Sequence, residues 1–149
     1  MATDPPTLTI ARLCRVLENH GTADLTLPQY RVLGLLSGGD ERATELAARL
    51  AVTKPTLTAL IDGLVERGLV VRETSDGDRR AVRLSITPAG RAAASAAGAS
   101  LRAVLDDVLG RCADPDAVLA ALDDVRRALD ARWAERVGAR GPGVEQVAR

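Results

Sequence analysis

A change of hydrophobic period at Gly68 constrains this chain more than any other feature. Ahead of it apolar residues recur at helical spacing; behind it, as far as Ile86, they alternate. Asp40 is positioned to cap a helix reaching Leu50, with Leu46, Ala47 and Leu50 facing inward. Ala51-Val52 makes a short turn. Thr53 then caps a further helix, which runs to about Arg67 and ends at Gly68. Two short helices on so tight a turn, with small Ala47 where they cross, have the outline of a helix-turn-helix. Val70-Val71-Arg72-Glu73 and the stretch Ala81 to Ile86 read as two strands, with Val82, Leu84 and Ile86 on one face. Thr74-Ser75-Asp76-Gly77-Asp78 between them is turn chemistry. A hairpin directly behind a helix-turn-helix is a wing.

Helical spacing extends to both sides. A first helix is predicted over residues 7–20, with Ile10, Leu13, Cys14 and Leu17 on one face and Gly21 just past its end. A second starts near Pro28, buries Tyr30, Val32, Leu33, Leu35 and Leu36, and stops at Ser37-Gly38-Gly39. Thr87-Pro88 starts a long helix carrying Leu101, Val104, Leu105, Val108 and Leu109 toward its end. Asp114-Pro115 repeats that signal for a last helix. There Val118, Leu122, Val125, Leu129 and Trp133 recur every three or four residues, a seam suited to packing helix against helix. The first seven residues and those beyond Val137 read as frayed ends.

Composition agrees with a mainly α fold carrying a small β-hairpin wing. Tyr30 and Trp133 are the only aromatic residues, so the core must be aliphatic, which suits helices. No apolar run approaches membrane-spanning length, and the N-terminus lacks a charged segment followed by an apolar stretch, so export is not expected. Cys14 and Cys112 match no metal spacing, and a reduced, cytoplasmic protein without cofactor or metal is the simplest reading. With one His, no metal-spaced cluster and no glycine fingerprint behind a strand, an enzyme is not expected. Net charge is zero, which by itself does not announce a nucleic-acid binder. Its distribution matters more: from Arg42 to Arg91 there are nine basic and six acidic residues, a net of +3.

The helix opened by Thr53 carries the informative surface. Leu57, Leu60, Ile61 and Leu64 form its inner stripe. Pro55, Thr56, Thr58, Ala59, Asp62 and Gly63 fall around the other side, with Lys54 at the start. So small a face can enter a DNA major groove, where Thr hydroxyls reach base edges or phosphates. The helix start also offers unpaired N–H groups and the Lys54 charge to phosphate. An ordinary surface helix with Thr as filler is the bland alternative. The hairpin favours DNA. Asp78-Arg79-Arg80 sits at its tip side, Arg72 and Arg83 lie in its strands, and an arginine at a wing tip can enter the narrow minor groove.

At these residues the chain resembles the MarR family of winged-helix regulators. The matching stretches are Leu25-Thr26-Leu27-Pro28-Gln29-Tyr30, Glu45-Leu46-Ala47, Leu64-Val65-Glu66-Arg67-Gly68-Leu69-Val70, Asp78-Arg79-Arg80, and Leu84-Ser85-Ile86-Thr87-Pro88-Ala89-Gly90. The resemblance implies one domain over residues 1–149. Its winged helix-turn-helix lobe would span about 28–91, with dimerisation helices over 7–20 and 88–136 and a flexible tail over 137–149. It implies a homodimer that reads pseudo-palindromic double-stranded operator DNA, with Arg80 as minor-groove arginine and Asp78 as its orienting partner. It also implies a small aromatic acid or phenolic effector that releases DNA, bound between the dimerisation helices and the DNA-binding lobe, and repression as the common mode.

Other residues carry two readings each. Cys14 could sense peroxide, as in the organic-hydroperoxide branch of the family. That branch, however, has its cysteine further upstream and adds tyrosines this chain lacks, and a Cys on an apolar helix face is more often a small core residue. His20 and Tyr30 could line an effector pocket. A helix C-terminus also suits a His of no function, and Tyr30 reads equally as core. A winged-helix protein–protein adaptor without DNA binding is the alternative that neutral net charge would fit.

Overall fold

In the computed structural model, which describes residues 5–20, 24–75 and 78–138, the chain runs through six helices and three strands. The side chains of residues 20, 74–81, 137 and 138 lie outside that description. Helices α1 (Pro6–His20) and α2 (Leu27–Leu36) come first. Strand β1 (Glu41–Arg42), α3 (Ala43–Leu50), α4 (Lys54–Glu66), β2 (Val70–Ser75) and β3 (Asp78–Ile86) follow, and then α5 (Pro88–Leu109) and α6 (Pro115–Gly138). Contacts divide the chain into two units between Val108 and Leu109.

Local chemistry sets most of these boundaries. Thr26 and Gln29 cap α2 reciprocally: the Thr26 hydroxyl accepts from the Gln29 N–H, and the Gln29 side chain accepts from the Thr26 N–H. Thr53 caps α4 through the Thr56 N–H. The α3–α4 turn is closed by Ala51 in the left-handed region, at φ 56. Gly68, at φ +67, releases the chain from α4 into β2, where a residue without a Cβ meets no steric penalty. Thr87 starts α5 by accepting from the Gly90 N–H at 2.9 Å, while its own hydroxyl donates to the Gly68 carbonyl at 2.7 Å. Asp114 starts α6 through the Ala117 N–H.

The core of the first unit is aliphatic, as the missing aromatics require. Val32, Leu33, Leu36, Leu46, Leu50, Leu57, Ile61, Leu64, Val70, Leu84 and Ile86 bury together. Tyr30, Leu35 and Leu60, expected inside, are only half-buried and pack against that cluster from its rim.

The sheet differs from the sequence expectation in two ways. It has three strands rather than two, in the order β1-β3-β2, all antiparallel. Asp40 therefore does not cap α3. Residues 41 and 42 extend to pair with Leu84 and Arg83, Arg42 takes the cap position without a side-chain bond, and the helix begins at Ala43. The hairpin is also longer than its turn residues suggested. Thr74, Ser75 and Asp78 belong to the strands, with Ser75 opposite Asp78 and an irregular register at Thr74/Ser75. Strand pairing outweighs local turn preference there. Register puts Leu84 and Ile86 of β3 inward beside Val70 of β2, so Arg83 and Ser85 stand on the opposite face.

In the second unit, α6 leaves Leu122, Val125 and Leu129 open, at 40%, 53% and 59% exposure. These are the residues of the expected seam. Arg126 of the same helix donates to Asp123 and Asp130, and its hydrogen bond to Asp123 is the main reason its guanidinium pKa lies above the ordinary value. Arg127 pairs with Asp123 and Asp124. Among the described residues, no helix is long and apolar enough to cross a membrane, and no three His, Cys, Asp or Glu side chains gather as a metal site would need.

Candidate nucleic-acid interface

Helix α4 is held by its inner stripe, Leu57, Ile61 and Leu64, each at most 3% exposed. The stripe fixes the opposite side outward. Thr53, Lys54, Pro55, Thr56, Thr58 and Ala59 are all exposed, and Asp62 is partly so. The hydroxyls of Thr53 and Thr56 lie 2.8 Å apart, and that of Thr58 donates to the Lys54 carbonyl at 3.0 Å. Thr58 thus spends its hydrogen on its own helix and keeps its lone pairs free to accept. The helix start is less open than a sequence reading suggests. Pro55 has no N–H and the Thr56 N–H is taken by the Thr53 cap, so the Lys54 ammonium is the main positive group there.

Lys54, Pro55, Thr58, Ala59 and Asp62 of this helix line a concavity of about 810 Å³ together with Leu57, Arg42, Ala43, Thr44 and Val82. Among the described lining residues, Asp62 is the only carboxylate. It does not stand free: Arg72 of β2 donates to its Oδ1 at 2.6 Å, across the step from wing to helix. The groove is therefore bordered by the charges of Arg42 and Lys54, which form no ion pair among the described residues and suit an anionic partner. Arg83 is exposed on the outer face of β3. Asp78, Arg79 and Arg80 lie on the tip-side end of β3 rather than in a loop, and their side chains fall outside the described residues.

The residues considered for a ligand or for redox chemistry lie elsewhere. His20 closes α1, with its side chain outside the description. Tyr30 packs over α5, where a Cβ on Gly98 would stand 3.4 Å from its hydroxyl. Cys14 is a free thiol and is exposed on α1, not a core residue of this chain. Ile10 beside it is 61% exposed, so the apolar face of α1 is open. A separate cavity of about 270 Å³ lies between α5 and the segment before α2. It is walled by Asp24, Leu25, Arg67, Ala93, Ala97 and Ser100, with Arg67 donating to the Asp24 carbonyl at 2.7 Å.

Comparison with known proteins bears on this arrangement. Residues 23–81, which hold α2 to the start of β3, match the model described as the MarR family. An uncharacterised HTH-type transcriptional regulator, YpoP of Bacillus subtilis, is 38% identical over 68 residues, a match spanning 45% of this chain and 48% of that protein. The transcriptional regulator BldR of Sulfolobus solfataricus superposes with a TM-score of 0.63 at 27% identity, over 82% of this chain and 86% of its own. A mutant of MarR from E. coli, solved in complex with operator DNA, gives a TM-score of 0.64 at 24% identity, over 79% of this chain and 87% of its own. Over residues 23–81 the chain is similar to the MarR family.

Two features of this site escaped sequence reading. Arg42 and Thr44 line the groove because β1 brings residues 41 and 42 onto the edge of the sheet. A two-residue strand has no periodicity to detect. The Asp62–Arg72 pair was equally hidden, since both residues read simply as outward-facing. The signature Thr87-Pro88-Ala89-Gly90, by contrast, has a clear local cause. A Cβ on Gly90 would meet the Leu69 carbonyl oxygen at 2.1 Å and Ile86 Cγ1 at 2.8 Å.

Proposed function

We propose that this protein is a DNA-binding transcription regulator, working as a homodimeric repressor on a pseudo-palindromic operator. One observation carries the reading: the outer face of α4 is small, hydroxyl-bearing and exposed, and beside it runs a groove whose lining carboxylate, Asp62, is already bound by Arg72. A helix of that kind can approach base edges without steric or charge conflict. Thr53, Lys54, Pro55, Thr56, Thr58, Ala59 and Asp62 would face the major groove. Arg72, Asp78, Arg79, Arg80 and Arg83 would serve the wing, with Arg80 in the minor groove and Asp78 orienting it. A fold shared with E. coli MarR, solved on operator DNA, supports the same reading.

Dimerisation is supported by the apolar residues left open on α6 and on α1. On α6, Leu122, Val125 and Leu129 recur at helical spacing and are all exposed, and on α1 Ile10 is exposed too. A small aromatic acid acting as effector is supported by the cavity at Arg67, whose guanidinium could meet a carboxylate. A ligand bound only to the folded protein would raise its stability by about 2.7 kcal/mol at a hundredfold excess over its Kd.

Selection of duplexes from a random pool, followed by fluorescence anisotropy at several salt concentrations, tests the reading. Recovery of an inverted repeat with half-sites about one helical turn apart, ~34 Å, is the expected result. Light scattering should give twice 15.6 kDa. A monomer with no salt-dependent affinity for any duplex would overturn the proposal and favour a protein–protein adaptor.

A further inference from the structure

The register of the three-stranded sheet places Arg42 of β1 directly opposite Arg83 of β3. Residues opposite one another in an antiparallel pair share a face, with their Cβ atoms about 5 Å apart. Both arginines are exposed and, among the described residues, neither makes an ion pair. The neighbouring carboxylates do not relieve them. Glu41 faces the inner side opposite Leu84 and is bound by Arg49, and Asp62 is bound by Arg72. Glu73 lies opposite Arg83 on the far strand but forms no ion pair with it. Like charges facing one another across a sheet are destabilising, so the fold gains nothing from this pair.

Arg42 also lines the groove beside α4 together with Lys54 and Thr58. From this placement we infer that Arg42 and Arg83 form a phosphate clamp on the β1 flank of the recognition helix, gripping the DNA backbone next to the half-site that α4 reads. The inference rests on the DNA-binding reading above and adds a contact to it. Guanidinium groups pair well with phosphate oxygens, and an anion between them would turn the opposed charges from a cost into a grip. The contact is blind to base sequence. It adds affinity and salt dependence, not specificity.

The test uses the full chain with two probes, a random-sequence duplex and the duplex that the wild type selects. Arg42→Gln and Arg83→Gln should each weaken binding to both probes by roughly three- to tenfold near physiological salt. Each should also lower the slope of log affinity against log salt by about 0.9 per bound protomer. Arg42→Lys, which keeps the charge, should retain most of the slope. Thermal unfolding should show Arg42→Gln no less stable than wild type, because a repulsion has been removed. An unchanged slope in Arg42→Gln, with the wild type binding normally and Lys54→Ala showing a reduced slope, overturns the clamp while leaving the DNA reading intact. Failure of the wild type to bind either duplex overturns both.

Discussion

Arg72 of β2 donates to Asp62 of α4 at 2.6 Å, with both side chains still partly open to solvent. A pair this exposed adds only about 0–1 kcal/mol to stability. Its larger effect is electrostatic, since it neutralises the one carboxylate among the described residues that line the groove. Arg72→Ala should therefore leave the urea midpoint nearly unchanged yet weaken DNA binding, because Asp62 would face phosphate unopposed. The double variant Asp62→Ala/Arg72→Ala should recover part of the loss. Anisotropy titrations of all three proteins at one salt concentration check this; no recovery in the double variant would mean that Arg72 contacts DNA itself.

The exposed first turns of α4 should separate affinity from specificity. Lys54→Ala is expected to weaken all duplexes nearly equally and to reduce the salt slope by about one unit, as a phosphate contact does. Thr58→Ala and Thr56→Ala should instead change the preferred base at one or two positions per half-site. The Thr58 oxygen accepts but has no hydrogen to give, so the lost preference should be for a base presenting an amino group. Operator selection with each variant measures it. Identical preferences in both Thr variants would move base reading off this face.

At the wing, Arg80→Ala should cost about 1–3 kcal/mol of binding, most clearly on sites with AT-rich flanks where the minor groove is narrow. Asp78→Ala should have the same effect more mildly. Circular dichroism and light scattering should show fold and oligomeric state unchanged in both. Equal affinity of Arg80→Ala and wild type at matched salt would exclude wing insertion.

Gly90 supplies a prediction about stability alone. An added Cβ would lie 2.1 Å from the Leu69 carbonyl oxygen, which is backbone and cannot swing aside. Gly90→Ala should destabilise the chain by at least the ~1–3 kcal/mol typical of overpacking, because α5 must shift off β2. Gly34, whose Cβ would meet nothing within 4 Å, gives the control: Gly34→Ala should be neutral or mildly stabilising in the middle of α2. Urea unfolding of the two variants decides it.

By itself the sequence determined the helices, the caps at Thr53, Thr87 and Asp114, and the outward face of α4, because those signals are local. Leu57, Ile61 and Leu64 recur at helical spacing whatever they pack against, and Thr53 and Thr87 cap through N–H groups only three residues away. The alternation of Val82, Leu84 and Ile86 fixed which side of the hairpin faces inward for the same reason. Tertiary structure decided the rest. Strand β1 exists only because β3 offers an edge to residues 41 and 42, and that pairing outweighed the Asp40 cap. The ends of the hairpin moved into its turn residues because each added pair satisfies backbone groups that turn preference ignores. Asp62 and Arg72, and likewise Arg42 and Arg83, became partners through the docking of helix and sheet. Each of these pairs joins residues 10 or more positions apart, beyond the reach of any local pattern, so the charge balance of the groove could only emerge from the fold.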